Sequence, residues 1–177
     1  PIVAASDTEA QKKLEKMKEY SSPEGALALF SGWAGIDLSK VTTDMLLSEV
    51  KTDAIQGILS YFTLVDPDRK WTVEAMGEQI SIGSIMPKFI GSPSTVADQI
   101  EQWMDECDID GFNIAPVVQP VGFVDFVELV VPELRRRGRV PEGYDGTTLR
   151  EHYFGSGQAR LPSDHIAHRC LPAWKQS

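Results

Sequence analysis

The chain has 177 residues, 42% hydrophobic and 24% charged, with 17 Lys and Arg against 26 Asp and Glu and a formal net charge of −9. That is the composition of a globular domain able to bury a sizeable core, so disorder is not the starting expectation. The acidic balance argues against nucleic acid, whose phosphates need clustered Lys and Arg, and no apolar stretch approaches the ~20 residues of a membrane span.

Pro1-Ile2-Val3-Ala4-Ala5 reads as a buried strand already under way, which gives the expectation that the sequence is part of something larger. Ser6-Asp7-Thr8-Glu9 fits a capping box, and Ala10, Leu14 and Met17 then recur at helical spacing while Lys12, Lys13, Lys16 and Lys18 cover the other side. Ser21-Ser22-Pro23 ends that helix. The small, apolar stretch Gly25 to Gly35, with Leu27, Leu29, Phe30 and Trp33, and the polar connection Asp37 to Asp44 carry no strand signal. Together they predict a helical insertion at about 21–50. Ile55, Ile58, Leu59 and Phe62 predict a helix over Thr52 to Phe62, and Val73, Met76 and Ile80 predict another over Thr72 to Ile80, with a turn at Asp66-Pro67-Asp68 between them.

The clearest unit begins at Lys88-Phe89-Ile90, a short strand ending at Gly91, followed by Ser92 as N-cap and Pro93 at the first helical position. Val96, Ile100, Trp103 or Met104, and Cys107 form the expected buried stripe of that helix, and Phe112-Asn113-Ile114-Ala115 the next strand. Strand, helix, strand predicts two parallel strands joined by a right-handed crossover. A long apolar helix is expected from about Gly122 through Phe126, Val130 and Leu134 to Gly138, kinked at Pro132, which lacks a backbone donor. Arg135-Arg136-Arg137 suits a helix C-terminus, where cations complement the dipole. From Arg139 the pattern dissolves, and residues 139–177 are expected to form an irregular surface tail.

Strand-helix steps with raw sheet edges predict an α/β chain that is the C-terminal portion of a TIM (β/α)8 barrel, over residues 1–138, including the insertion. The run FIGSPSTVADQIEQWMDECDIDGFNIAPVVQPVGFVDFVELVVPEL, residues 89–134, resembles the last βαβα segment of luciferase-like flavin-dependent monooxygenases. It is most similar to the branch holding nitrilotriacetate monooxygenase, pristinamycin synthase and dibenzothiophene-sulfone monooxygenase. PIVAASDTEAQ, ALALFSGWAGIDLS and RRRGRVPEGYDGTTLREHYFG add to the resemblance, which covers most of residues 1–160, and ARLPSDHIAHRC near the end adds less specifically.

The resemblance implies a barrel that takes reduced FMN from a separate flavin reductase and uses it with oxygen to oxygenate a small organic substrate. It also implies that the missing N-terminal part of the barrel, with most flavin contacts, lies outside this sequence, so the chain alone is expected to be inactive. A non-catalytic fragment or truncated paralogue acting as an interaction or self-association module is the competing reading. A homo-oligomer is expected, and the two cysteines, Cys107 and Cys170, too few for a disulfide framework, suit a cytoplasmic location.

Gly91 and Ser92, at a strand end and a helix start, are candidate flavin-binding positions because exposed amides and the helix dipole favour an anion there. A plain capped turn explains the same residues. Asn113 is the third candidate, since strand alternation aims it toward the barrel or its mouth. His152, His165 and His168, with Asp164, fall in the tail without metal-ligand spacing. Glu101, Asp105 and Glu106 form an acidic helix face that reads as solvated. Trp33, with Leu29 and Phe30, is a candidate lid or subunit contact.

Overall fold

The computed structural model describes residues 1–50, 61, 62, 64, 68–144 and 146–170. They form two compact units, Pro1–Leu134 and Arg135–Ser177.

The first unit is helix-rich α/β. Strand β1 (Ile2–Val3) pairs in parallel with β2 (Ile90–Gly91), Ile2 opposite Ile90 and Val3 opposite Gly91. The Ile2 amide donates to the Phe89 carbonyl at 2.8 Å, and the Ala4 amide to the Gly91 carbonyl at 3.3 Å. Parallel neighbours need a long connection, and helix α1 (Asp7–Lys18) begins it, with the Ser6 side chain accepting from the Glu9 amide. Ala10 and Leu14 are buried as the spacing predicts, and Met17 packs on the cluster of Ile2, Leu14 and Ile82.

The insertion builds a separate apolar cluster. Helix α2 (Pro23–Ala34) starts on Ser22, whose side chain accepts from the Gly25 amide, and stops at Gly35, which takes the left-handed conformation (φ 64°) that a glycine adopts without strain. Two 3-10 turns, Leu38–Lys40 and Leu47–Glu49, carry the chain on, and Leu46 bridges antiparallel to Thr72. Helix α3 (Val73–Ser81) is capped by the Thr72 hydroxyl. It lies close against α2, since a Cβ on Gly77 would meet Leu27 Cγ at 2.9 Å. Phe30, Ala34, Leu47, Trp71, Val73 and Met76 fill the space between. The helix predicted over Thr52 to Phe62 lies outside the described residues apart from Tyr61 and Phe62, which are helical, as do Asp66 and Pro67 of the predicted turn.

Helix α4 (Pro93–Cys107) follows β2, capped by Ser92 and ended at Asp108 in left-handed geometry (φ 50°). It buries Val96, Ala97 and Ile100, but the predicted stripe stops there: Trp103 and Cys107 are exposed. Phe89 touches Trp103 edge-on, with little sheet beyond for the rest of the stripe to cover.

The predicted strand Phe112–Ala115 is a correction, because these residues form no ladder. The outward edge of β2 is already taken at Ile90, whose amide donates to Gln99 Oε1 at 3.1 Å and whose carbonyl accepts from Gln99 Nε2 at 3.4 Å. A side-chain amide thus occupies the groups a third strand would need. On the opposite edge the Lys13 ammonium donates to the Val3 carbonyl at 3.0 Å and pairs with Asp125.

The last helix of this unit runs as α5 (Val121–Asp125), a π-helical turn (Phe126–Val130) and α6 (Val131–Arg136). The π turn precedes Pro132, the position of the expected kink. Pro132 cannot donate to the Glu128 carbonyl, and the ladder widens in the preceding turn instead of breaking. Phe126, Val130 and Leu134 are buried as predicted, whereas Val121, Phe123, Val124 and Val127 are exposed.

The second unit holds helix α7 (Leu149–Phe154), started by a full capping box between Thr148 and Glu151, and a 3-10 segment, Ile166–Cys170. Among the described residues no helix is long and apolar enough to cross a membrane.

Candidate functional site

Parallel pairing puts the carboxyl ends of β1 and β2 on one side, where helices α1 and α4 begin, so two helix N-termini converge there. Asp7, the first residue of α1, reaches across and its Oδ1 accepts from the Ser92 amide at 2.7 Å. The Ser92 hydroxyl accepts from the Thr95 amide at 3.3 Å and lies 2.9 Å from the Thr95 hydroxyl. The Ser92 amide, then the Thr95 and Ser92 hydroxyls, hold the Asp7 carboxyl below the usual carboxylate range.

Gly91 makes this approach possible. Its φ is 152°, and a Cβ there would meet Thr95 Cγ2 at 2.7 Å and Asp7 Oδ1 at 2.8 Å. The turn is therefore an anion site filled by the chain's own carboxylate. A phosphate on the Ser92 amide would have to displace Asp7 or sit beside its charge.

A pH test follows from the sign of the shift. A carboxyl whose folded pKa is depressed stabilises the fold above its ordinary value and loses that contribution as pH falls through the folded value. Below about pH 4, the wild-type denaturation midpoint is expected to fall more steeply than that of Asp7→Ala. Parallel curves would show that the Asp7–Ser92 latch, the bond from the Ser92 amide to the Asp7 carboxylate, adds nothing to stability.

Of the predicted site residues, the structure brings Gly91 and Ser92 together with Asp7 and Thr95. Asn113 is exposed on the extended segment after α4 and takes no part in this cluster. Asp7 and Thr95 carried no recognisable functional signal, since Asp7 sits 85 positions from Ser92. A second concavity of about 420 Å³ runs beside β1, lined by Ile2, Val3, Met17, Val117 and Val121, with the Lys13–Asp125 pair at its side.

The other candidates resolve into local roles. His152 stacks on Tyr144 with Nε2 at 3.2 Å from the Gly146 carbonyl, and His165 Nδ1 accepts from the Ala167 amide at 3.1 Å. The His168 side chain lies outside the described part. Among the described residues no group of three His, Cys, Asp or Glu is placed to hold a metal. Glu106 accepts from Gln102 Nε2 at 2.9 Å, and Glu101 and Asp105 also have partners. Phe30 is core, while Leu29 and Trp33 point outward.

No family model matches the chain. It is 39% identical over 166 residues, 94% of its length, to dimethyl-sulfide monooxygenase of Hyphomicrobium sulfonivorans. Its homologues are luciferase-like monooxygenases. The crystal structure of that same relative superposes with a TM-score of 0.83 at 36% identity, over 99% of this chain and 37% of the other. Long-chain alkane monooxygenase of Geobacillus thermodenitrificans is 38% identical over 168 residues, 95% of this chain and 34% of the relative. A riboflavin lyase solved with modified FMN and riboflavin gives a TM-score of 0.75 at 31% identity, over 97% of this chain and 37% of the other. The nitrilotriacetate, pristinamycin and dibenzothiophene-sulfone members named by the sequence resemblance are among the homologues. The chain spans about 35% of the length of the curated relatives it matches. In luciferase-like terms, the Asp7–Ser92 latch thus belongs to a stretch shared with these relatives, while two thirds of their length has no counterpart here.

Proposed function

We propose that this chain is the C-terminal part of the (β/α)8 barrel of an FMN-dependent two-component monooxygenase, with residues 1–138 in the barrel and 139–177 as its surface tail. The observation that carries the reading is the match along nearly the whole chain to monooxygenases about three times as long, at a TM-score of 0.83 for dimethyl-sulfide monooxygenase. Reduced FMN, delivered by a separate flavin reductase in the cytoplasm, supplies the reaction with oxygen that oxygenates a small organic substrate. The protein is a homo-oligomer.

Within this reading Gly91, Ser92 and Asn113 line the flavin side of the mouth. The flavin phosphate does not fit the Ser92 amide, because Asp7 already accepts its hydrogen bond. The role left to the turn is to hold two strand ends in register and keep Thr95 and Gly91 closely packed.

The remaining two thirds of the barrel provide the phosphate cradle and most substrate contacts. A fluorescence titration with FMN, read beside the intact mass, tests the assignment. Residues 1–177 alone are expected to show no saturable binding, and the protein extended to the length of its relatives is expected to bind stoichiometrically. Absence of binding by the extended protein would overturn the reading.

The second reading, a non-catalytic self-association module, is favoured by the exposed row Val121, Phe123, Val124 and Val127. It predicts association without flavin affinity at any length.

A further inference from the structure

Side chains occupy both edges of the two-stranded sheet. At β1 the Lys13 ammonium donates to the outward Val3 carbonyl at 3.0 Å. At β2 Gln99 takes both outward groups of Ile90: its Oε1 accepts from the Ile90 amide at 3.1 Å, and its Nε2 donates to the Ile90 carbonyl at 3.4 Å. Gln99 lies on α4, so the helix that follows β2 supplies a side-chain amide in place of the peptide group of a neighbouring strand.

A segment able to take that place lies alongside. After α4 the chain returns to β2, where Phe112 meets Phe89 edge-on, with ring centroids 5.7 Å apart. Phe112 and Ile114 are half-buried while Asn113 and Ala115 are exposed, the two-residue alternation of an extended segment against a packed surface. Among the described residues, however, the backbone groups of Phe112–Ala115 meet no hydrogen-bonding partner. The segment has the pattern, the position and the free backbone groups of a third strand, and lacks only the edge that Gln99 holds.

The ring contact also sets the register of such a strand. With Phe112 beside Phe89, Asn113 stands opposite Ile90. In a parallel ladder the Ile90 amide then donates to the Phe112 carbonyl, and the Ile114 amide donates to the Ile90 carbonyl. Two backbone bonds replace two side-chain bonds, so the exchange is close to balance in hydrogen bonding. Entropy decides between the two arrangements, the freed rotamers of Gln99 standing against the ordering of the segment.

We infer that Gln99 is a conformational switch, whose side-chain amide holds the β2 edge in competition with Phe112–Ala115 and, on release, lets that segment add as a third parallel strand. Under the monooxygenase reading above, on which this consequence alone rests, the added strand carries Asn113 to the side of Ile90, next to the Gly91–Ser92 turn. The switch itself concerns the sheet, and its test involves no flavin.

Amide hydrogen exchange on the full chain, read residue by residue, is that test. In the wild type the Ile114 amide is expected to exchange at least tenfold faster than the Ile90 amide. Gln99→Leu keeps the bulk and removes both polar groups. It is expected to slow exchange at Ile114 at least tenfold, while the Ile90 amide, taken over by the Phe112 carbonyl, stays protected. Adding Phe112→Ser to Gln99→Leu is expected to undo the gain at Ile114, because it removes the ring contact that sets the register. Loss of protection at Ile90 with no gain at Ile114 would overturn the switch and leave Gln99 as an edge cap alone. Slow exchange at Ile114 in the wild type would overturn it as well, since the strand would then form with Gln99 in place. If Gln99→Leu does not fold, Gln99→Asn, one methylene too short to hold both groups of Ile90, is read by the same two amides.

Discussion

Gly91→Ala is expected to lower the free energy of unfolding of the chain by about 2–6 kcal/mol, the sum expected of backbone strain at a conformation that side-chain-bearing residues rarely adopt and of overpacking. Two independent features converge on that residue. Its φ of 152° is one that side-chain-bearing residues rarely adopt, and the Cβ would stand 2.7 Å from Thr95 Cγ2 and 2.8 Å from both Thr95 Cβ and Asp7 Oδ1. Relief by moving Thr95 is limited because it sits in the first turn of α4, hydrogen-bonded to Ser92 through both amide and hydroxyl. Relief by moving Asp7 gives up the 2.7 Å bond that ties the α1 start to the α4 start.

Guanidinium denaturation of Gly91→Ala, Thr95→Ser and the double variant separates the two contributions. Removing the Thr95 methyl group should recover about 0.5–1.5 kcal/mol of the loss, within the range of coupled neighbours. The remainder reports the backbone and the Thr95 Cβ contact. A Gly91→Ala protein as stable as the wild type would show that the turn tolerates a side chain, and the close approach to Asp7 would lose its explanation.

This turn also shows which parts of the molecule local chemistry reveals. Gly91, Ser92 and Pro93 announce a strand end, a cap and a helix start, since each acts on its immediate neighbours. The same holds for Ser22-Pro23, for Thr72 before α3, and for the buried spacing of Phe126, Val130 and Leu134. The Asp7 to Ser92 bond could not be read that way, because nothing in either segment signals the other. The sequence therefore pointed to an anion site at Ser92 without showing that the anion is Asp7.

Phe112 to Ala115 failed as a strand for a related reason. Alternating apolar residues give the propensity, but a ladder also needs free partners, and at Ile90 those are held by Gln99. Likewise the stripe on α4 had helical spacing through Cys107, yet burial ended at Ile100, where the packed surface ended. Periodicity gives the side that faces inward, while the extent of the surface it faces is set by elements far along the chain.

The insertion offers the second large effect. Phe30 is 2% exposed and central to the cluster formed by α2, the 3-10 turns and α3. Phe30→Ala should cost about 3–5 kcal/mol, the usual range for emptying an aromatic core position. None of the buried residues of that cluster is shared with Ile2, Leu14 and Ile82 under the sheet. The loss should therefore fall unevenly along the chain. In hydrogen exchange, the Met76 amide, bonded to the Thr72 carbonyl at 3.0 Å, is expected to lose protection. The Ile2 amide, bonded to the Phe89 carbonyl, is expected to keep its own. Uniform loss at both amides would mean that the two clusters unfold as one cooperative unit, and that the insertion draws its stability from the sheet. Selective loss at Met76 would establish α2, the 3-10 turns and α3 as a separately stabilised layer. A layer of that kind can vary its exposed residues, Leu29 and Trp33 among them, without disturbing the strands beneath.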